Sequence, residues 1–200
     1  IAGGNQLLTG AFVKLGQSFD KLNWQANLRL DRWSINDGFR TETNKTTGVN
    51  LRDFIYDDRN GVDPSASLSA RMILSDQWAL RLGGGSSFRL PNSNELYRPF
   101  RVGASIFEAN PDLEPERFSH LEASLDWSPQ DELTFSTGVY HYWANDVISN
   151  VFIFQGPGTT PQGVPVSAAG SYNQRQNIAR SKILGWQSSL EYRPLDGLTV

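Results

Sequence analysis

The residues best able to do acid–base or metal chemistry are two histidines, His120 and His141, the only ones in the chain. Two imidazoles beside a carboxylate can hold a zinc ion or move a proton, and Glu122 and Asp126 follow His120. Alternation of polar and apolar residues predicts that His120 lies on the polar face of its strand and His141 on the apolar face of the next. The two then do not share a site, so we predict a protein that is not an enzyme and has no catalytic residue, cofactor or metal.

Carboxylates around a glycine form a second candidate, a calcium site. Asp58, Asn60 and Asp63 lie beside Gly61, and calcium prefers oxygen ligands spaced along a turn. The spacing misses the EF-hand pattern and Arg59 stands among the ligands, which favours an ordinary turn. The chain has no cysteine, which excludes disulfides, thiolate metal sites and cysteine nucleophiles.

A third chemically capable group lies in the irregular stretch from Phe88 to Arg117. Its four prolines exclude a continuous helix or central strand. A connection of this length is usually functional or disordered, and this one has enough apolar residues to pack. Guanidinium groups bind anions and aromatic rings stack on planar groups. The candidate ligand-contacting residues are Tyr97, Arg98, Phe100 and Arg101.

Composition limits the class of protein. The chain has 200 residues, of which 12% are aromatic, and is too apolar to be disordered. Its net charge of -3 and scattered basic residues argue against nucleic acid as a partner. The mean hydropathy of -0.42 would ordinarily indicate a soluble protein. A transmembrane β-barrel has a similar average, however, because lipid-facing and lumen-facing residues alternate along each strand.

Short alternating stretches predict β-strands throughout the chain. At the end of the fourth of them, three consecutive glycines, Gly83 to Gly85, predict a bulge or a close approach of another backbone. The predicted strands are 11–16, 24–31, 67–72, 78–83, 120–127, 133–143 and 183–192.

The connections between these strands differ in length in a regular way. Short and long ones alternate, so all short turns lie at one end of the sheet and all long loops at the other. Outer-membrane barrels have this asymmetry, whereas a soluble sandwich has no reason for it. Trp24, Trp78, Trp127 and Trp186 would form an aromatic girdle near the short turns. The short turns are 18–22, 75–77, 129–132 and 194–197, and the long connections are 36–65, 89–117 and 145–177.

One long connection also carries sequence motifs. The residues concerned are Phe88, Arg89, Pro91, Glu95, Leu96, Tyr97, Asn110, Pro111, Leu113, Pro115 and Glu116. They resemble the FRxP, ELY and NPxLxPE signature in the barrel of TonB-dependent outer-membrane receptors. Two further stretches agree, the LRLDRW run at 28–33 and the segment 172–185 with Asn177, Ile178 and Gly185. Gln187 departs from the pattern, since an acidic residue is frequent there.

The resemblance implies an all-β fold, a segment of an antiparallel up-and-down transmembrane β-barrel. Residues 1–200 would supply roughly seven or eight strands of a barrel with about 22, without the plug domain. The chain starts at Ile1 with no signal-peptide pattern, and we expect an internal fragment of a longer protein.

The implied function is active import of a scarce small ligand, such as a ferric siderophore, across the outer membrane of a Gram-negative cell. The implied partners are the receptor's own plug domain, TonB acting through the plug, the transported ligand, and outer-membrane lipid and lipopolysaccharide. Arg98 and Arg101 can contact the ligand, neighbouring loops or lipopolysaccharide phosphates, and the sequence leaves this open. Two alternatives also remain, a soluble carbohydrate-binding module and a passive porin.

Overall fold

The computed structural model describes residues 1–178 and 180–193, and these residues are mostly β-strand. In chain order the elements are β1 (Ala2–Ser18), β2 (Leu22–Thr43), β3 (Asn50–Tyr56), β4 (Arg59–Ser75), β5 (Trp78–Arg89), α1 (Ser93–Tyr97), β6 (Phe100–Val102), β7 (Ser105–Glu108), β8 (Glu116–Gln130), β9 (Leu133–Asn145), β10 (Val147–Gln155), β11 (Gly158–Thr159), β12 (Pro165–Val166), β13 (Ser171–Ile178) and β14 (Ser181–Tyr192).

The main sheet, called the wall below, is an antiparallel meander. Its order is β1-β2-β4-β5-β8-β9-β14, with β3 attached to the far end of β2. Consecutive wall strands are therefore neighbours in space, which is the up-and-down arrangement that the sequence predicts. The short connections at the turn end span 19–21, 76–77 and 131–132. The predicted turn at 194–197 lies outside the described residues.

The two faces of the wall differ in chemistry, because side chains alternate along every strand. One face carries exposed apolar residues such as Leu68, Leu82, Leu121 and Trp186, and we call it the apolar face. The other carries charged and hydroxyl groups, including the ion pair of Arg81 with Asp126, and we call it the polar face.

Three of the four tryptophans predicted to form a girdle, Trp24, Trp78 and Trp127, lie on the apolar face near the turn end, whereas Trp186 lies in the middle of β14, opposite Val139. Trp78 lies directly opposite Trp127, and the two rings stack with centroids 5.9 Å apart. Within the described residues, no helix is long and apolar enough to cross a membrane.

The structure corrects the predicted boundaries of several strands. The connection predicted at 36–65 is largely a continuation of the wall, because β2 runs on to Thr43, β3 pairs with it, and β4 already begins at Arg59. At the chain's start, β1 begins at Ala2 rather than residue 11. Apolar and polar residues do not alternate regularly in these extensions: Leu7 and Leu8 are adjacent and both exposed, and β2 is polar from Asn36 to Thr43 apart from Gly38 and Phe39. The alternation that reveals a half-buried strand is therefore missing, although the backbone pairs normally.

The connections predicted at 89–117 and 145–177 also contain regular structure. The first holds α1, β6 and β7, and the second holds β10 to β13. Together they form a second, four-stranded sheet in the order β10-β13-β7-β6, in which β7 and β13 pair in parallel. The two long loops are thus one folded unit, called the loop body below. Pairing between segments distant in sequence leaves no local periodicity to detect.

The glycines of β5 adopt one of their two predicted roles. The register of β5 with both neighbours is continuous through Gly83 to Gly85, so there is no bulge at this point. Close approach is present instead, because a Cβ atom on Gly85 would lie 2.7 Å from the carbonyl oxygen of Ala66.

We therefore expect Gly85→Val to destabilise the wall by about 1–3 kcal/mol, since the new side chain forces β4 away from β5. The free energy of unfolding can be measured in urea for the longer receptor in detergent micelles, with folding followed by heat-dependent mobility on a gel. Ser86→Val is the matched control, because Ser86 is on the same strand, exposed and on the apolar face. Equal stability of the two variants would contradict the close-packing explanation.

Candidate functional site

The loop body begins at a group of three charged side chains. Arg89, the last residue of β5, donates to Glu116, the first residue of β8, and its other nitrogens lie 2.9 and 3.1 Å from the carboxylate oxygens of Glu95. The second oxygen of Glu116 accepts the backbone N–H of Ile148 at 2.7 Å. This group therefore closes the base of one long loop and fixes the start of the other.

Helix α1 is held in place by its own capping interactions. The side chain of Asn92 accepts from the backbone N–H groups of Asn94 and Glu95, and the Glu95 carboxylate accepts from the Asn92 N–H at 2.8 Å. This reciprocal capping box satisfies the first donors of a helix too short to be stable alone. Glu95 thus serves both the cap and the ion pair with Arg89.

Tyr97 lies in the core beneath the loop body. Its ring is only 2% exposed, stacks on Tyr56 at 5.1 Å, and fits over Gly4 and Gly38 of the wall. A Cβ atom on Gly38 would come within 2.7 Å of the tyrosine hydroxyl oxygen. The ring is therefore a packing element. The surrounding cluster comprises Trp33, Ile35, Leu96 and Leu113, all buried.

The remaining motif residues also have structural contacts. Pro91 and Pro115 are fully buried, as is Leu113. The Asn110 side chain accepts from the Asp112 N–H at 3.0 Å and donates to the Arg175 carbonyl at 3.0 Å. The family-like motif thus shapes the loop and attaches it to β13, and it leaves few groups free for a ligand.

A second charged group ties the first long connection to the loop body. Arg40 of β2 donates to Glu108 of β7 at 2.6 Å and to Glu42 at 2.7 Å. Arg52 donates to Glu42 at 2.7 Å and to the Gln162 carbonyl at 2.9 Å. Glu108 is 1% exposed, and its Oε2 atom has no hydrogen-bond partner among the described residues. Segments from all three long connections meet in this group.

The exposed side of the loop body carries the other candidate residues. Phe100 stacks on Phe107 with centroids 4.7 Å apart and rings 7° from parallel, and the Arg175 guanidinium lies 5.3 Å above the Phe100 ring. Arg98 and Arg101 are exposed and form no ion pair within the described part of the chain. Arg101 is paired with Ile106 and therefore lies on the opposite face of β6 from Phe100. The aromatic surface thus has Arg175 on it and the exposed Arg98 next to it in the chain, and such a surface suits a planar or anionic ligand.

Arg175 is held in an unusual way for a cation. It donates to the backbone carbonyls of Asn94 and Arg98. Burial lowers its pKa from the ordinary value, and the more distant charges of Glu95 and Glu108 raise it by less. Its charge is therefore only partly balanced at the surface of the loop body.

The two histidines lie on opposite faces of the wall, as the alternation predicts. His120 is paired with Tyr142 and stacks on it at 5.4 Å, whereas His141 is paired with Leu121 on the apolar face. Among the described residues, no group of three or more His, Cys, Asp and Glu side chains could hold a metal ion. Asp63 of the calcium hypothesis instead accepts from Trp33 at 2.9 Å and from Arg117 at 2.8 Å.

Sequence reasoning missed Phe107 and Arg175 as members of the exposed surface, and Glu108 as a member of the buried charged group with Arg40. Arg175 and Phe107 come from different long connections and meet only because β7 pairs with β13. Glu108 and Arg40 are 68 residues apart. A repeated short spacing, the usual signal of a site, does not exist for such residues.

The chain matches the protein-family model described as TonB dependent receptor-like, beta-barrel, over residues 5–200. No curated protein matches the chain in sequence.

Solved structures of similar fold include a hemophore receptor, a copper transporter and a ferric enterobactin receptor. The Serratia marcescens hemophore receptor HasR, solved with its hemophore HasA and heme, is 18% identical with a TM-score of 0.74, and the alignment covers 95% of this chain and 32% of HasR. The copper transporter OprC is 23% identical with a TM-score of 0.67, and the alignment covers 94% of this chain and 27% of OprC. The Pseudomonas aeruginosa ferric enterobactin receptor PfeA, solved with enterobactin, is 16% identical with a TM-score of 0.60, and the alignment covers 99% of this chain and 35% of PfeA. The chain spans about a third of these receptors.

Glu95 makes the attachment of helix α1 depend on pH. Burial raises its pKa, but hydrogen bonds from Arg89 and the Asn92 backbone outweigh this and hold the pKa below its ordinary value of 4.5. A carboxyl group with a lowered folded-state pKa stabilises the fold above its unfolded value and loses this contribution as pH falls through the folded value. We expect helix α1 to loosen below about pH 4.5.

Hydrogen exchange of the amides at 93–97, corrected for intrinsic rates at pH 6 and pH 3.5, measures this loosening. Glu95→Gln should exchange faster than the unchanged protein at pH 6 and show a smaller further increase at pH 3.5. Glu132→Gln, at the turn end, is the control and should behave as the unchanged protein. If Glu95→Gln retained the full pH dependence, the assignment to Glu95 would be wrong.

Proposed function

The chain belongs to the family of TonB-dependent receptor-like β-barrels, and from this premise we propose that it is part of an outer-membrane receptor that actively imports a scarce small ligand. Residues 1–200 would form a continuous part of the barrel domain. The apolar face of the wall would contact lipid and the polar face would line the lumen. We propose no catalytic role.

The observation that carries this proposal is the distribution of structure between the two ends of the wall. The turn end has connections of two or three residues, whereas the other end bears the loop body, with its own sheet, helix and core. A rigid, elaborated cap at one end suits capture of a specific solute from outside. A wall built only to enclose a channel has no need of it.

We propose that the ligand is a small anionic or aromatic compound, such as a ferric siderophore, captured on the exposed side of the loop body. Phe100, Phe107 and the Arg175 guanidinium together form an aromatic and cationic patch, Arg98 adds an exposed cation near it, and Arg101 adds one on the other face of β6. Tyr97 would support the site from beneath, because its ring is buried. Receptors of similar fold were solved with heme and with enterobactin, which are both planar and aromatic in part.

The partners follow from the same proposal. TonB would act through the receptor's plug domain, which would occupy the lumen against the polar face. Outer-membrane lipid and lipopolysaccharide would surround the apolar face. The proposed location is therefore the outer membrane of a Gram-negative cell, with the loop body on the outside.

Energy-dependent uptake tests the proposed function. We expect cells carrying the full receptor gene to accumulate at least one labelled compound among heme, ferric enterobactin and copper, and gene-deleted cells to accumulate much less. A protonophore should abolish the difference, because TonB draws on the proton gradient. Uptake that persists with the protonophore would instead indicate a passive porin, and a receptor found in the soluble fraction would contradict a membrane barrel.

The ligand surface can be tested by removing its free cations. We expect Arg98→Ala combined with Arg101→Ala to weaken ligand binding by about ten-fold or more, because charge-assisted hydrogen bonds are lost. Affinity is measured by fluorescence quenching on the purified receptor with the compound that cells accumulate. Lys45→Ala, which removes an exposed cation from another loop tip, is the matched control. Unchanged affinity in the double variant would remove these arginines from the site.

A further inference from the structure

The apolar face of the wall contains a depression that the transport function does not explain. Its volume is 620 Å³, and its lining is almost entirely apolar. Leu68, Leu121 and Leu184 line it, together with two small residues, Gly84 and Ala123. A Cβ atom on Gly84 would come within 2.7 Å of the Leu121 side chain, so Leu121 packs over Gly84 and only a glycine fits beneath it. The depression is therefore a groove lined in large part by leucine side chains.

One end of this groove approaches the loop end of the wall, where its chemistry changes. His141 lines the groove and stacks on Trp143 with centroids 4.0 Å apart. Trp143 lies directly opposite Lys182 in the pairing of β9 with β14. Since paired residues share a face, Lys182, Trp143 and His141 lie together on the apolar face. The Lys182–Trp143 pair lies next to the groove, on the side of the loop end.

Lys182 is an isolated cation on this face. It is exposed, and among the described residues it has no carboxylate within ion-pair distance. Lysine and tryptophan are the residues that anchor proteins at the boundary between hydrocarbon and headgroups. The groove and the lysine thus match the two halves of an anionic lipid, the acyl chain and the phosphate.

We propose that this groove is a specific site for one phosphorylated lipid of the leaflet that faces the loop body. An acyl chain lies over Ala123, against Leu121 and Leu184, and the phosphate lies at Lys182 with Trp143 beside it. The site rests on the proposed membrane placement of the wall. The proposal makes the expected contact with outer-membrane lipid specific: one lipid binds at this groove, and it must carry a negative charge.

Lipid titration of the full-length receptor in dodecyl maltoside tests the proposal. Dipalmitoyl phosphatidic acid should raise the melting temperature in a saturable manner, diacylglycerol with the same chains should bind more weakly, and inorganic phosphate should have no effect. Lys182→Ala should weaken phosphatidic acid binding on the order of five-fold. Lys182→Arg should keep it. Ala123→Leu, which fills the groove, should weaken binding of both lipids.

Matched controls are available on the same wall. Lys14→Ala removes an exposed lysine from the polar face, and Ala26→Leu enlarges an apolar-face residue outside the groove. Both should bind phosphatidic acid as the unchanged receptor does. The proposal is overturned if Lys182→Ala and Ala123→Leu bind normally, or if inorganic phosphate alone gives the full shift. Ligand uptake, measured separately, reports on the proposed transport, so a failed lipid site and a failed transport assignment are distinguishable.

Discussion

The loop end of this protein depends on the carboxylate of Glu116, which is buried and bonded on both of its oxygens. One oxygen accepts from Arg89 across the last pair of the β5–β8 ladder, and the other accepts from Ile148 at the start of the second long loop. A buried carboxylate without such partners would be strongly destabilising. The requirement to satisfy it therefore fixes where both loops leave the wall. Helix α1, Tyr97 and the loop sheet take their positions from that point.

The wall was predictable because one physical constraint repeats along it. A strand with one apolar and one polar face alternates, and the runs ending in Trp127 and Tyr192 showed this clearly. The segregation of short and long connections then indicated a barrel segment, and the family match agrees with it. Prediction failed where both faces of a strand meet water or other loop residues. The sequence at the end of β2, with Arg40 and Glu42, predicts a loop, although the backbone there continues to pair, with β3 as its partner.

The candidate site was predictable only in part, for a different reason. The motif from Phe88 to Glu116 identified the right loop, but most of its residues are used to hold that loop together: Arg89 and Glu95 as an ion pair, Tyr97 and Leu113 as core. The side chains left exposed, such as Arg98 and Phe100, lie between the motif elements. Partners from the other long loop, including Arg175, enter the surface through tertiary pairing that single-sequence periodicity does not report.

The parallel pairing of β7 with β13 has a consequence for how the protein would be seen by antibodies. The exposed side of the loop body combines residues near position 100 with residues near position 175, joined through backbone hydrogen bonds between the two loops. An epitope on that surface is discontinuous, so a linear peptide copied from either loop would not reproduce it. An immunogen that is to present this surface must therefore carry both loops together with the strands that hold their bases.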